Sequence, residues 1–433
     1  MSTVHSTPIP HIAYHSTITI LLCIIQPIFK QIHLYMHVFI IAIWLAIIII
    51  LETFKIKRST KLIIASLLLL TFWIFALYSI SIYESFDQTL KRIALDKRTG
   101  DPSNYYFFNQ QLKNIFKAMF VIILVYFIPI KRFKNDKNII LMGITAIIIQ
   151  LLVFTPLWID LNGARWRVVL PWIGNLQPSE FFKIWLVIFL SWWIMRKQNI
   201  INTNTFYIAL SVLLWSIFFI FLLIPDLWSI FVMGLVAMIM CRYGWAKLKY
   251  LALICGSWAM MWFMVIAMFP AKFGYITERL NFFVSDQNDE ENQKIGWQTQ
   301  QALIGVWWGG FRWQWYGKWL QKFGQIPEAQ SDFIFAALSE EIWFVGNLFI
   351  IFLYFLLAYY TLTKSYLIKD PYSRLIAIGT ISLIIVQAFV NIGVNINLLP
   401  NTWLTLPFIS YGGTALMANL IEITLLYKIL ENK

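Results

Sequence analysis

Few residues in this 433-residue chain could do acid–base or ionic chemistry in an apolar setting, and they fall in short clusters. Asp332 stands in "QSDF", where a polar loop turns into an apolar run. One reading is a helix N-cap, a role aspartate fills by accepting a backbone N–H. The other is a working carboxylate at the membrane surface, because ionisable groups at membrane depth are functional candidates by default. Glu340 and Glu341 follow about two turns deeper on the same predicted helix. The segment "QPSEFFK" (177–183) opens another apolar run and sets Glu180 and Lys183 at i and i+3, where they can pair. Such a pair is either a structural ion pair or part of an intramembrane polar pocket. Arg165 and Arg167, in "NGARWR", are cations in a connection between spans and suit an anionic group such as a phosphate. Arg279, Lys318 and Lys322, upstream of Asp332, are further cations for that task. Asp226, in "IPDLW", lies between two spans with almost no loop and reads as a cap or turn residue. All five histidines lie between His5 and His37, so the rest of the chain must work with carboxylates, lysine, arginine and hydroxyls. Cys23, Cys241 and Cys255 lie in apolar segments without a pairing or metal-binding spacing.

The elements that must position these residues are membrane helices. The chain is 60% hydrophobic and 13% charged, with mean hydropathy +0.69. A soluble domain carries about 25% charged residues. Continuous apolar runs recur near the ~20 residues that cross a bilayer, and lipid tolerates only helices or closed barrels. Unbroken runs rather than alternation favour helices. Spans are expected near 35–53, 62–83, 114–130, 138–158, 179–195, 206–224, 227–242, 248–270, 333–361, 374–398 and 404–428. A shorter stretch at 17–29 contains Pro27 and reads as interfacial or half of a hairpin, and no cleavable signal peptide is expected. The net charge of +13 follows the positive-inside rule rather than nucleic-acid binding. With "KIKRSTK" (55–61) in the cytoplasm, alternation also puts "KRFKNDK" (131–137), "RYGWAKLK" (242–249) and "KSYLIKDPYSR" (364–374) inside. The loop 84–113 is the exception.

The same alternation puts the long segment 271–332 outside. Connections of that length are usually functional. Its acidic part, "SDQNDEENQK" (285–294), reads as solvated, and the stretch between that part and Asp332 is rich in glycine and tryptophan. Near the C-terminus, "LLPNTWLTLPFISYGGTAL" (398–416) mixes prolines, a Gly-Gly pair and hydroxyls in an apolar context. Broken helices of this kind line cavities rather than face lipid. Asn391, Asn395 and Asn397 add polar groups that need partners within the bundle.

These pieces together resemble the SEDS family, the FtsW, RodA and SpoVE polymerases of peptidoglycan. The resemblance is carried by "NGARWR…NLQPSEFFK", "PDLWS", "GWQTQQALIGV", "PEAQSDFIFAALSEEIWFVG" and "NIGVNINLLPNTWLTLPFISYGGTAL", with "LYSISIYES" (77–85) matching the first-span motif. It covers about 62–430 and leaves 1–61 as an N-terminal extension with one or two hydrophobic segments. "PEAQSDFIF" and "TLPFISYGG" look more like FtsW than RodA. The resemblance implies an all-α polytopic fold, a ten-helix bundle with a large outer loop (about 271–332) before the eighth family span. It implies polymerisation of lipid II into glycan strands, with release of undecaprenyl diphosphate, in cell division. Asp332 matches the family's essential aspartate, Lys183 its essential lysine, and Glu180 the motif glutamate that orients it. Gln177, Pro178, Ser179, Pro327, Glu328, Glu340, Glu341, Pro407, Ser410, Tyr411, Gly412 and Gly413 fall on motif positions. A magnesium or manganese ion at the diphosphate, a class B penicillin-binding transpeptidase and other division proteins are the implied cofactor and partners. Two rivals keep the membrane bundle without the chemistry, namely a lipid II flippase and a division scaffold.

One departure from the family pattern recurs. Tryptophan stands on family glycines at Trp73, Trp228, Trp307, Trp313, Trp315, Trp343 and Trp403, and Trp166-Arg167 stands where the family has Arg-Trp. The chain holds 21 tryptophans and 19 glycines, glycine being about 4% against a usual ~7%. An aromatic interface belt or a sugar-stacking surface would place tryptophan by depth or in the cavity. Neither selects glycine positions. The favoured reading is decoding of UGA as glycine, so that these positions are glycine in the working protein. On that reading 305–324 is a glycine-rich connector leading to Asp332.

Overall fold

The structure is a computed structural model that describes residues 64–71, 80, 85, 106–154, 158–161, 164–170, 174–223, 226–268, 290–308, 326, 329–402 and 404–431. The expected segments at 17–29 and 35–53 lie outside these residues. Ten long helices come after the helical residues 64–71 within this set. They are α1 (Tyr106–Phe127), α2 (Asp136–Leu151), α3 (Pro178–Arg196), α4 (Asn204–Leu223), α5 (Leu227–Tyr243), α6 (Leu248–Met268), α7 (Glu290–Trp308), α8 (Ile334–Ser365), α9 (Pro371–Asn395) and α10 (Gly413–Glu431). Seven spans in the described chain are long and apolar enough to cross a membrane, and shorter apolar helices run over Trp228–Tyr243 and Leu248–Met260. The polytopic all-helical class expected from composition is what the chain adopts.

Local sequence sets the helix limits. Pro178 occupies the first turn of α3, where its missing N–H costs nothing, Glu180 lies in that turn and Arg196 in the last, so both charges complement the helix dipole. Asp370 caps α9 through Ser373 N–H, followed by Pro371. Asp226 caps α5 through Ser229 N–H, which bears out the turn role read from "IPDLW".

The bundle is organised around α3 and α9. One face of each belongs to a core with α8 and α10, through Ile184, Ile188, Ile376 and Ile384. The other belongs to a core with α4 and α5, through Leu186, Leu190, Leu375 and Leu383. Within their spans α3, α9 and α10 are each 72% buried, against 11% for α1 and 22% for α2. The two outer helices present Phe116, Phe120, Phe127, Ile140 and Leu141 outward, as lipid-facing helices do when both faces meet apolar surroundings. Helix α1 nonetheless reaches α10 closely. A Cβ on Gly413 would stand 2.7 Å from the Asn114 side-chain amide, which would then have to shift.

The structure corrects the sequence reading in four places. A three-stranded antiparallel sheet, β1 (Trp158–Leu161), β2 (Ala164–Leu170) and β3 (Gly174–Leu176), replaces irregular loop. Its register pairs Ile159 with Arg167 and Val168 with Leu176. Strands this short give too few residues for alternation to be legible. Helix α7, from Glu290, lies within the segment 271–332 expected as a loop, and it packs on α8. The last span begins at Gly413, not near 404, because the intervening residues form the broken segment over the bundle core. The second family span begins at Tyr106 rather than 114, which shortens the preceding loop.

Candidate functional site

Helix α9 carries three buried amides four residues apart, Gln387, Asn391 and Asn395. Four-residue spacing puts them on one face, spread over about 12 Å of helix. They join the two clusters read from the sequence.

At the Gln387 level lies the ion pair of α3. Lys183 Nζ is 2.8 Å from Glu180 Oε2, and both side chains are almost wholly buried, at 1% and 5% exposure. Lys183 Nζ also donates to Gln387 Oε1 at 2.7 Å. Gln387 Nε2 donates in turn to Thr405 O at 3.1 Å, in the broken segment before α10. Two of the three ammonium donors are thus engaged. Helix α10 adds a residue the sequence reading missed. Glu422 is 3% exposed and interacts electrostatically with Lys183 and Glu180. Its Oε2 is a buried oxygen with no hydrogen bond. A lone glutamate in the last apolar run was its only signal.

At the Asn391 and Asn395 level lies Asp332, half-buried, in the turn before α8. It is not the N-cap. Phe333 holds that position without a side-chain cap. The orphan amide of Ala336 is met by Asn395 Oδ1, 2.9 Å away on a neighbouring helix. The Asp332 carbonyl oxygen accepts from Asn391 Nδ2 at 2.9 Å and from Asn395 Nδ2 at 3.0 Å. Asn391 Nδ2 also donates to Leu404 O at 2.7 Å. The two preceding residues are pinned as well. Ser410 Oγ donates to Ser331 O at 2.5 Å, and Tyr411 N–H donates to Gln330 O at 2.8 Å. The motif residues Ser410 and Tyr411 therefore work on the approach to Asp332. Pro407 O accepts from buried Tyr354 on α8.

The entry to α3 is tied to the same region. Thr414 Oγ1 donates to Asn175 O at 2.9 Å and accepts from Gln177 N–H at 3.2 Å. Gln177 Nε2 reaches Ser179 Oγ at 3.2 Å, and Pro178 and Ser179 are buried. Arg165 and Arg167 lie on β2, one strand away from this junction. Glu340 is buried on α8, and Glu341 follows it in that helix. Gly412 precedes the first residue of α10, Gly413. Arg279, Lys318, Lys322, Pro327 and Glu328 lie outside the described residues. Among the described residues no group of three or more His, Cys, Asp or Glu side chains could hold a metal ion.

The tryptophans expected to stand on glycine positions divide. Trp343 interrupts α8 with φ 59° and ψ −176°. Trp228 packs edge-on against Phe231 within α5, and Trp307 is exposed near the end of α7, both within helix. Trp73, Trp313, Trp315 and Trp403 lie outside the described residues.

A family profile described as cell cycle protein, covering FtsW, RodA and SpoVE, matches residues 60–433. The "Probable peptidoglycan glycosyltransferase FtsW" of Taylorella equigenitalis (strain MCE9) is 30% identical over 329 residues, 75% of this chain and 88% of that protein. "Stage V sporulation protein E" of Bacillus subtilis (strain 168) is 30% identical over 386 residues, 88% of this chain and 98% of that protein. The crystal structure of the rod shape determining protein RodA of Thermus thermophilus shares the fold with a TM-score of 0.59 at 19% identity, covering 86% of this chain and 96% of that one. A chain from a peptidoglycan synthase complex that coordinates polymerization and crosslinking aligns with a TM-score of 0.63 at 22% identity, over 84% and 97% of the two chains. The match to residues 60–433 takes in every described helix, and the protein belongs to the FtsW/RodA/SpoVE family.

Proposed function

We propose that this protein is a peptidoglycan glycosyltransferase that polymerises lipid II at the outer face of the cytoplasmic membrane during cell division. The observation that carries the reading is a half-buried carboxylate, Asp332, at the head of an apolar helix, with its backbone held by two buried amides. Relatives at 30% identity bear the name peptidoglycan glycosyltransferase. The basic segments 55–61, 131–137, 242–249 and 364–374 assign their loops to the cytoplasm, and alternation then puts Asp332 outside.

The reaction asks three things of the site. The acceptor's 4-hydroxyl oxygen attacks the anomeric carbon of the donor, and its proton passes to the Asp332 carboxylate. The anomeric carbon–oxygen bond to the diphosphate breaks, and the bonding pair leaves with undecaprenyl diphosphate. Cations meet the charge that develops on the diphosphate. Lys183 has one ammonium donor left for a diphosphate oxygen, and its burial means that this oxygen arrives within the bundle rather than from bulk water. Arg165, on the sheet that leads into α3, and Arg279, Lys318 and Lys322 serve the same charge from the outer side. Glu180 keeps Lys183 oriented. A class B penicillin-binding transpeptidase is the partner that cross-links the product.

The test is lipid II polymerisation by the purified protein with its transpeptidase. Wild type makes glycan strands and Asp332→Ala, inserted at the same level, makes none. An undiminished polymer yield from Asp332→Ala overturns the reading in favour of a transporter or scaffold.

A further inference from the structure

We propose that Asn391 and Asn395 are positioning residues that set the Asp332 carboxylate by clamping its backbone. This rests on the reading of Asp332 as the proton acceptor. Both Nδ2 groups converge on one carbonyl oxygen, at 2.9 and 3.0 Å, and fill its two lone pairs. Their remaining contacts make the clamp rigid. Asn391 Nδ2 also holds Leu404 O, Asn395 Nδ2 holds Asn391 O at 2.9 Å, and Asn395 Oδ1 caps Ala336 N–H. Asn391 and Asn395 are 1% and 0% exposed, so water does not compete for these bonds. Gripping the main chain fixes where the Asp332 side chain starts without drawing on its carboxylate oxygens. Displacing a reacting group by about 1 Å can cost ~10²-fold in rate, which is what a clamp of this kind prevents.

The experiment compares Asn391→Ala, Asn395→Ala and Asn395→Asp with a control, Asn347→Ala. Asn347 is a buried amide too, on α8, but it donates to Ser339 Oγ, away from the Asp332 turn. Lipid II polymerisation by the full chain with its transpeptidase gives kcat and KM, and melting gives Tm. The two alanine variants are expected to lose roughly 10- to 100-fold in kcat with KM within about twofold. Asn395→Asp keeps the acceptor for Ala336 but sets a buried oxygen against the Asp332 carbonyl, and is expected to lose kcat at least as far as Asn395→Ala, with a lowered Tm of its own. The control is expected to keep kcat whatever Tm it loses. Loss of kcat in proportion to Tm across all variants, or a loss carried by KM, overturns the clamp. Full activity of Asp332→Ala overturns both the clamp and the base reading, so the two failures are distinguishable.

A separate observation carries a second inference. We infer that positions 245 and 343 are glycine in the protein as its own cell makes it, through UGA decoded as glycine. At Trp343, φ 59° and ψ −176° lie at the edge of a region that glycine alone occupies routinely. Trp245 has φ 73° and follows the end of α5. Its N–H bonds Arg242 O at 3.2 Å and the next N–H, of Ala246, bonds Cys241 O at 3.0 Å. That pair of bonds is the Schellman ending, whose left-handed residue is usually glycine. Trp245 is 69% exposed, so packing does not compensate for the strain. Trp185 shows the contrast. It is buried and donates to Ile139 O at 3.3 Å, as an encoded tryptophan should. The test is to read the codons and to weigh the peptides of the protein from its native cell. UGA at 245 and 343, with peptides lighter by the tryptophan–glycine difference, is expected, together with a higher Tm for Trp245→Gly and Trp343→Gly in the tryptophan-bearing chain. UGG codons, or native peptides that retain tryptophan, overturn it.

Discussion

Two polar clusters hang on one face of α9, and they are built in opposite ways. At Gln387 the charged group is held side chain to side chain, Lys183 bridging Glu180 and Gln387 in a nearly dry setting. At Asn391 and Asn395 the bonds run side chain to main chain, and Asp332 stays half-buried. The first arrangement fixes helices against each other. The second presents a reactive group at a fixed place. The sharpest way to break this distinction is Asp332→Asn. It is isosteric and leaves the pinned main chain untouched, so polymerisation should fall by at least ~10²–10⁴-fold while Tm barely moves. A large fall in Tm would mean that Asp332 is as structural as Lys183.

Lys183→Met should behave in reverse, with a folding defect at least as evident as the catalytic one. It strands Glu180 as a buried carboxylate without its cation, which typically costs about 3–5 kcal/mol. Glu180→Leu combined with Lys183→Met removes both charges and should recover most of that loss, as read by thermal melting in detergent. If the double variant is no more stable than the single, the pair is not acting as a closed unit. Glu422 gives a smaller effect of opposite sign. Its Oε2 is buried without a hydrogen bond, and an unmet buried polar group costs about 1–3 kcal/mol. Glu422→Met should therefore raise Tm. A drop would show that Glu422 is a working part of the Lys183 cluster.

The same contrast explains what could be read from sequence. The Glu180–Lys183 pair was legible because both partners lie one turn apart on one helix, and local spacing sets their contact. The membrane helices were legible from hydropathy, although their ends moved where a broken segment or a sheet took residues over. The partner of Asn391 and Asn395 was not legible. Their sequence context shows polar groups in need of partners, but what they bind is a carbonyl oxygen about sixty residues away, a group every residue carries. Asp332 was open between cap and catalyst for a related reason. The helix is capped at Phe333, without a side-chain bond, and the N–H of Ala336 in its first turn is met by Asn395 from another helix. Gln387 could have been found as the first of three amides at i, i+4 and i+8 in an apolar run. Glu422 offered no pattern beyond its own charge.

The smallest expected effect sets the buried pair against an exposed one of the same chemistry. Lys134 Nζ is 2.8 Å from Asp370 Oδ2, the spacing found at Lys183 and Glu180, yet these side chains are 45% and 37% exposed. Burial pushes the Asp370 carboxyl up, but hydrogen bonds from Lys134 and from Ser373 outweigh it and hold it below its ordinary value. A depressed carboxyl stabilises the fold above the unfolded-state value, near 4 for aspartate, and loses that contribution as pH falls through the folded-state value. The ion pair itself is worth at most about 1 kcal/mol at such exposure. The cap to Ser373 N–H adds ~1 kcal/mol. Asp370→Ala should therefore cost roughly 1–2 kcal/mol at neutral pH, and high salt should remove the Lys134 share. The gap between variant and wild type should close as the pH is lowered below about 4. Identical spacing would then give an effect well below that of Lys183→Met, with exposure as the variable that separates them.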